Sequence, residues 1–534
     1  MKRRFEYISV FFLSFLTVLF IELQFIVDAV RTPKNTFYLG TVHWPPDYFY
    51  YLSQFIQGKS HVLSSTILYT GERLPLTVIG WQNVLAGRIL TGILGLQVIL
   101  TYQITVVLFL SFFLILAYRL LLEIFPKEAG KRMLSFFFFV TSTSMPLFSG
   151  SLKTGLKLSF YNYWYNTGNI FDRLGPAPNH LLASAFMAAG FLLSALLVKS
   201  NNSGGKRKKI LAGLSVCGLL LASISPVEWG LLVAAVFGAA FIYQRKRFQP
   251  YYFAPFIALF LSGLPLAVYV KYIFYQEPYV KSSLWEATQQ LAMTPYALFM
   301  GSGLVIIFAL IGGWAFFRKT TFERLAGLFL IAISAFFYFS PTPDKLGLTN
   351  ARFWPPAIYI FIAAGAAQGV FQIYQRFSKH QKIILIFLII IYLFTIIPSD
   401  LAQQREEVLV SRAGNAFYYI PSDAYGAYIK TMEMTVPNDI ILAQWPFNES
   451  FPALTGRKSF FGYNLYTINS AQKEKDIFAF FDGKMSPEEV KNMLAGYKID
   501  YILGYPWIAK IDSYPFLKKV FQNNILALYK VLAN

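Results

Sequence analysis

VILTYQITVVLFLSFFLILAYRLLLEIF, residues 98–125, is broken by only two charges, Arg119 and Glu123, both towards one end. A run of this length and polarity matches the roughly 17 to 25 apolar residues that cross a bilayer as a helix. It is followed at once by Lys127, Lys131 and Arg132, the kind of basic cluster that stays on the cytoplasmic side. The same reading extends to both ends of the chain. Apolar runs near 8–27, 133–149, 180–198, 210–225, 227–243, 251–273, 296–317, 325–340, 354–373 and 382–398 predict about eleven spans in all.

The basic residues check this count. Besides the cluster after residue 125, they gather at Lys2-Arg3-Arg4, Lys206-Arg207-Lys208-Lys209, Arg245-Lys246-Arg247, Arg318-Lys319 with Arg324, and Arg376 with Lys379 and Lys382. With these spans all six clusters fall on one side, which puts the N-terminus in the cytoplasm and the segment after residue 398 outside. The first run, behind Met1-Lys2-Arg3-Arg4, is too long for a signal-peptide core and lacks a small-residue cleavage site, so it reads as an uncleaved first helix.

Composition agrees. The chain of 534 residues is 56% hydrophobic, with a mean hydropathy of +0.48 and 18% aromatic residues, too apolar for a soluble globule. Its net charge of +20 does not point to nucleic acid: residues 398–534 hold 14 basic and 14 acidic residues, so the excess lies in the turns between spans. One cysteine, Cys217, rules out an intrachain disulfide and a cysteine metal cluster. The fold expected is therefore a polytopic α-helical membrane module over residues 1–398, with a first outer loop at about 28–97, and an extracytoplasmic α/β domain over 399–534. In the tail, Ile440-Ile441-Leu442-Ala443 and Tyr501-Ile502-Leu503-Gly504 read as strands, and Ser486-Pro487-Glu488-Glu489 as the capped start of a helix running to Leu494.

The long segments 28–97, 150–179, 274–295, 341–353 and the tail all fall outside, where a scaffold of this kind carries its functional loops. In the first of them, His43-Trp44-Pro45-Pro46-Asp47 precedes apolar residues at Tyr48, Tyr51, Leu52, Phe55 and Ile56. This spacing predicts an amphipathic helix on the membrane surface, with Asp47 as its N-cap. Among the outer cations Arg73, Arg88, Lys153, Lys157, Arg173, Lys345 and Arg352, many are expected only to snorkel. Arg352 stands out at the mouth of a span within Thr349-Asn350-Ala351-Arg352-Phe353-Trp354-Pro355-Pro356. Asp172, Arg173 and His180 cluster just before another span; Asp172 with Arg173 could equally be a surface pair, and His180 an interfacial cap. Glu228 sits at an outer turn beside Trp229 and is a second candidate acid or an ordinary turn residue. Four histidines without HExxH, and no Walker A or GxGxxG string, exclude a zincin site and a nucleotide cradle.

The string PPDYFYYLSQFIQG, residues 45–58, with the arrangement of spans and outer tail, resembles the GT-C superfamily of membrane glycosyltransferases that use polyprenyl-phosphate-linked sugars, mannosyltransferase-like bacterial members in particular. The resemblance implies that Asp47 is the general base for an inverting transfer to an acceptor hydroxyl, with the lipid phosphate as leaving group. It implies that Arg352 lies near that phosphate. Apart from the resemblance, Lys345, His43 and Glu228 are further candidate substrate contacts, and Asp172, Arg173 and His180 candidate substrate or metal contacts. The acceptor would be a glycan, lipid or protein. No cofactor is certain; a divalent cation, Mg or Mn, with Asp47 as a ligand is the alternative role for that carboxylate. Two other functions fit the architecture: a transporter or lipid flippase, which would place ionisable groups near the bilayer midplane, and a non-catalytic assembly protein of the bacterial cell envelope.

Overall fold

The computed structural model describes residues 2–42, 44–60, 64–74, 78–151, 155–200, 204–247, 249–377, 380–409 and 412–532. Apolar chain in hydrocarbon must satisfy its own backbone, and a helix does so within one segment. Among the described residues, seven helices are long and apolar enough to cross a membrane: Arg4–Val30, Val98–Ile124, Pro178–Lys199, Pro226–Arg245, Tyr251–Phe274, Phe322–Phe339 and Gln381–Val408. The protein is a polytopic helical membrane protein.

The other four expected spans take different forms. Residues 296–317 become Pro295–Ser302 and Leu304–Arg318, bent by 111°. The break lies at Gly303, whose φ is +70° and where a Cβ would stand 2.5 Å from the Thr143 carbonyl oxygen. Only glycine accepts both constraints. Gly303→Ala is expected to destabilise the fold by about 1–3 kcal/mol, read as a lower thermal midpoint of the purified protein.

The run expected over 133–149 is helical only as Ala129–Thr141, and the chain then enters the strand Pro146–Ser151, paired antiparallel with Gly155–Phe160. Ser142, Thr143 and Ser144 compete with the helical ladder, and Met145, preceding Pro146, is steered to extended backbone. The run at 210–225 lies in the helix Gly204–Ile224, whose first turns carry Lys206 to Lys209. The run at 354–373 begins at Ile358, after the two prolines, and is buried along most of its length to Val370. It faces protein: a Cβ on Gly312 of Leu304–Arg318 would meet the Gly365 carbonyl at 2.0 Å. Small residues permit such backbone approach between helices in lipid.

The chain forms two compact units, one of Met1–Leu23, Val106–Tyr272 and Glu286–Val410, the other of Gln24–Thr105, Ile273–Trp285 and Ser411–Asn534. The division does not follow residue 398, because the first long loop is built into the same unit as the tail. Thr36–Tyr38 pairs antiparallel with Tyr419–Pro421, and the Thr41 hydroxyl donates to the Phe417 carbonyl at 2.6 Å. In this second unit a five-stranded sheet runs in the order Leu517–Gln522, Ala527–Val531, Tyr501–Gly504, Ile440–Ala443, Lys458–Ser459. The two strands legible in the sequence are its centre, parallel, with Leu442 opposite Ile502. Leu442, Phe460, Ile477, Val490, Leu494, Ile502 and Tyr529 form its core. The helix Pro487–Gly496 starts with the expected cap: Ser486 Oγ accepts from Glu489 N, and Glu489 Oε2 accepts from Ser486 N at 2.7 Å. Ser486→Ala is expected to cost about 1 kcal/mol, measurable by denaturant unfolding.

Candidate functional site

The second unit holds Asp47. The helix Pro45–Gln57 opens on two prolines, which lose nothing at positions whose N–H groups are unpaired anyway. Its N-cap is Trp44, so Asp47 is not the cap but lies three residues further on, in the first turn, where a negative charge faces the positive end of the helix dipole. The apolar face does not lie on a membrane surface. Tyr48, Phe49, Leu52 and Phe55 are wholly buried, and Tyr48 donates to the Leu39 carbonyl at 2.8 Å. Protein wall, including the helix Phe447–Thr455, supplies the apolar partner expected from lipid.

Asp47 Oδ1 accepts a hydrogen bond from the Tyr463 hydroxyl at 2.8 Å. Tyr466 lies edge-on to Tyr463 at 5.1 Å and stacks on Tyr50 at 4.5 Å, so the carboxylate borders an aromatic wall. Burial pushes the Tyr463 phenol well up, and the Asp47 charge adds to it, which keeps the hydroxyl a donor. Glu449, in the first turn of Phe447–Thr455, is a second acid that the sequence reading passed over. Its Oε2 is enclosed without a hydrogen bond among the described residues, burial pushes its carboxyl up to about 7, and its charge acts on Tyr463 and Tyr69. A lone Glu after Trp445-Pro446-Phe447-Asn448 gives no local signal of burial.

The first unit holds a separate cluster centred on Tyr165, which has φ +55°, a strained backbone for a tyrosine. The Tyr165 hydroxyl and His180 Nδ1 are 3.1 Å apart, and the Arg352 guanidinium lies over the Tyr165 ring at 5.2 Å. Arg352 donates to both oxygens of Glu286, at 2.9 and 3.2 Å. Burial pushes the Tyr165 phenol up; the charges of Glu228, Asp172 and Glu286 reinforce this and Arg352 opposes it. Glu228 is 4% exposed, with Oε2 lacking a hydrogen bond among the described residues. The turn Asn350–Phe353 is held in place by Thr349, whose hydroxyl donates to the Gln289 carbonyl at 2.7 Å, and by Asn350, which exchanges hydrogen bonds with the Leu291 backbone. Thus the arginine's turn is tied to the segment just beyond Glu286.

Four residues expected to form a site, Asp172, His180, Glu228 and Arg352, therefore surround Tyr165, and Tyr165 and Glu286 were missed. Asp172 and Arg173 do not form a surface pair. Arg173 is 1% exposed and donates to the carbonyls of Phe139, Thr167, Gly168 and Ser142, while Asp172 Oδ2 accepts from Asn166 N at 2.9 Å. Lys345 is exposed in the short helix Thr342–Lys345. His43 and Lys153 lie outside the described residues. No three of His, Cys, Asp and Glu come together among the described residues as a metal-binding group.

Burial pushes the Asp172 carboxyl up to about 7 from 3.8, partly offset by the Asn166 N–H. The folded state then holds a proton that the unfolded chain has released. Stability from this group is full below about pH 4 and lost as pH rises towards 7. Asp172→Asn keeps the acceptor for Asn166 N and removes the titration. Its thermal midpoint is expected to exceed wild type at pH 8 and to show a flatter pH dependence between 4 and 7.

No family model and no curated protein matches the chain. By structure it is similar to the oligosaccharyltransferase AglB of Archaeoglobus fulgidus. The complex of that enzyme with an inhibitory peptide and a dolichol-phosphate superposes with a TM-score of 0.53 at 12% identity, over 94% of this chain and 69% of that one. The form tethered to an acceptor peptide containing the NVT sequon gives 0.52 at 12% identity, and the apo form 0.52 at 10%, over the same shares. At such identity the likeness shows the fold alone.

Proposed function

We propose that this chain is a membrane glycosyltransferase that moves a sugar from a polyprenyl-phosphate-linked donor to an acceptor hydroxyl at the outer face of a bacterial cytoplasmic membrane. The fold it shares with an enzyme whose structure is known in complex with a dolichol-phosphate supports the donor class. With the eleven apolar runs of the sequence taken as crossings, six basic clusters fall on one side, which supports the orientation.

The observation that carries the reading is the half-buried Asp47 carboxylate, oriented by a phenol that cannot itself take the proton. Asp47 takes the proton of the acceptor hydroxyl as the acceptor oxygen bonds to the anomeric carbon. The bond from that carbon to the phosphate oxygen breaks on the opposite face, and the lipid phosphate leaves with the electron pair, inverting the centre. Arg352 is a candidate phosphate-binding cation in its own right, because its planar fork already holds two carboxylate oxygens and a phosphate presents the same pair. Asp172, His180 and Glu228, with Tyr165, shape that cluster. The acceptor is a glycan, lipid or protein.

The test is transfer by the purified protein in lipid, with radiolabelled polyprenyl-phosphate mannose and glucose as donors and a membrane extract as acceptor. Labelled product that depends on the protein is expected. Movement of label across sealed vesicles with no product formed would replace this reading with a transporter.

A further inference from the structure

The parallel strands Ile440–Ala443 and Tyr501–Gly504 end at the same edge of the sheet, and the loops that follow carry both tryptophans of the tail, Trp445 and Trp507. The loops are joined there: Gln444 N donates to the Leu503 carbonyl, and Tyr505 N donates to Gln444 Oε1, each at 2.9 Å. Tyr505 and Trp507 stack nearly parallel, with centroids 4.6 Å apart and 16° between planes. Phe447, buried beneath, meets Tyr505 edge-on at 5.6 Å and holds the pair from behind. Yet Trp445 is 57% and Trp507 62% exposed. Large exposed rings on loops joined at the carboxyl edge of parallel strands mark a binding place.

We propose that Trp445, Tyr505 and Trp507 form a platform for the pyranose rings of an oligosaccharide. A pyranose offers one face of C–H groups, which an aromatic face attracts through its negative quadrupole, while the sugar hydroxyls stay in water. The surroundings fit this and not acyl chains. In 444–450 and 505–513 the other exposed residues among those described are Lys510, Asp512 and Ser513, with no exposed aliphatic side chain beside the rings. The choice of a saccharide leans on the glycosyltransferase reading, but the platform is tested by binding alone.

The full chain in lipid nanodiscs is titrated with tetrasaccharides of mannose, of glucose and of N-acetylglucosamine. At least one is expected to bind, about tenfold or more weaker for Trp507→Ala, with Trp507→Phe restoring part of the loss and Trp445→Ala weakening the same ligand. Absence of binding to all three, or equal binding by the Trp445→Ala/Trp507→Ala chain, overturns the platform. So does a bilayer location, seen if brominated acyl chains quench the fluorescence that Trp445→Phe and Trp507→Phe remove. Binding without any transfer activity would leave the platform standing and sink only the enzyme reading.

Discussion

Asp47→Asn abolishes most sugar transfer, with kcat expected to fall by about 10² to 10⁴-fold, the range a positioned general base contributes. Asparagine keeps the shape of the side chain, and its carbonyl oxygen can still accept from the Tyr463 hydroxyl, so the loss isolates basicity from packing. The thermal midpoint should move little, since a half-buried first-turn carboxylate gives the helix only about 0.3–1 kcal/mol through its dipole. Tyr463→Phe removes one hydrogen bond to a charged group, worth about 1.5–3 kcal/mol, so it should cost less than Asp47→Asn. That order separates a base from its positioning residue. Glu449 is the internal rival, an enclosed acid in the same unit whose carboxyl is pushed up to about 7. Full transfer by Asp47→Asn together with loss in Glu449→Gln would move the base to Glu449.

What could be read from the sequence was local. Seven of the eleven expected spans needed only a window of apolar residues, the two central strands only their own apolar runs, and the Ser486 cap only its own four residues, so these were legible. The amphipathic stripe of Pro45–Gln57 was also legible, but a stripe says that an apolar partner exists and not whether it is lipid or protein. The bend at Gly303 depends on the nearness of the Thr143 carbonyl, far away along the chain. Glu286 and Arg352, 66 residues apart, form their fork only after folding. Tyr165 was invisible for a related reason: among so many aromatic residues, its strained backbone and charged neighbours carry no sequence mark.

The Arg352 and Glu286 fork supports a second large effect with opposite signs on its two sides. If Arg352 binds the donor phosphate, Glu286 occupies the guanidinium until the phosphate displaces it. Arg352→Ala is then expected to lower kcat/KM for the lipid-linked donor by about 10²-fold or more, mainly through KM, since losing one partner of a charged bidentate contact costs about 2–5 kcal/mol. Arg352→Lys should fall between, because the charge remains and the fork is lost. Glu286→Gln should lower KM, because a weaker competitor is displaced. The fork itself cannot account for a loss of that size. Its side chains are 31% and 22% exposed, and an ion pair so open to solvent contributes no more than about 1 kcal/mol to the fold. Equal losses of donor affinity in Arg352→Ala and Glu286→Gln would make the pair a clamp between chain segments, and the phosphate would have to be sought elsewhere. A falling KM in Glu286→Gln beside a rising one in Arg352→Ala fits only competition between carboxylate and phosphate for the same nitrogens.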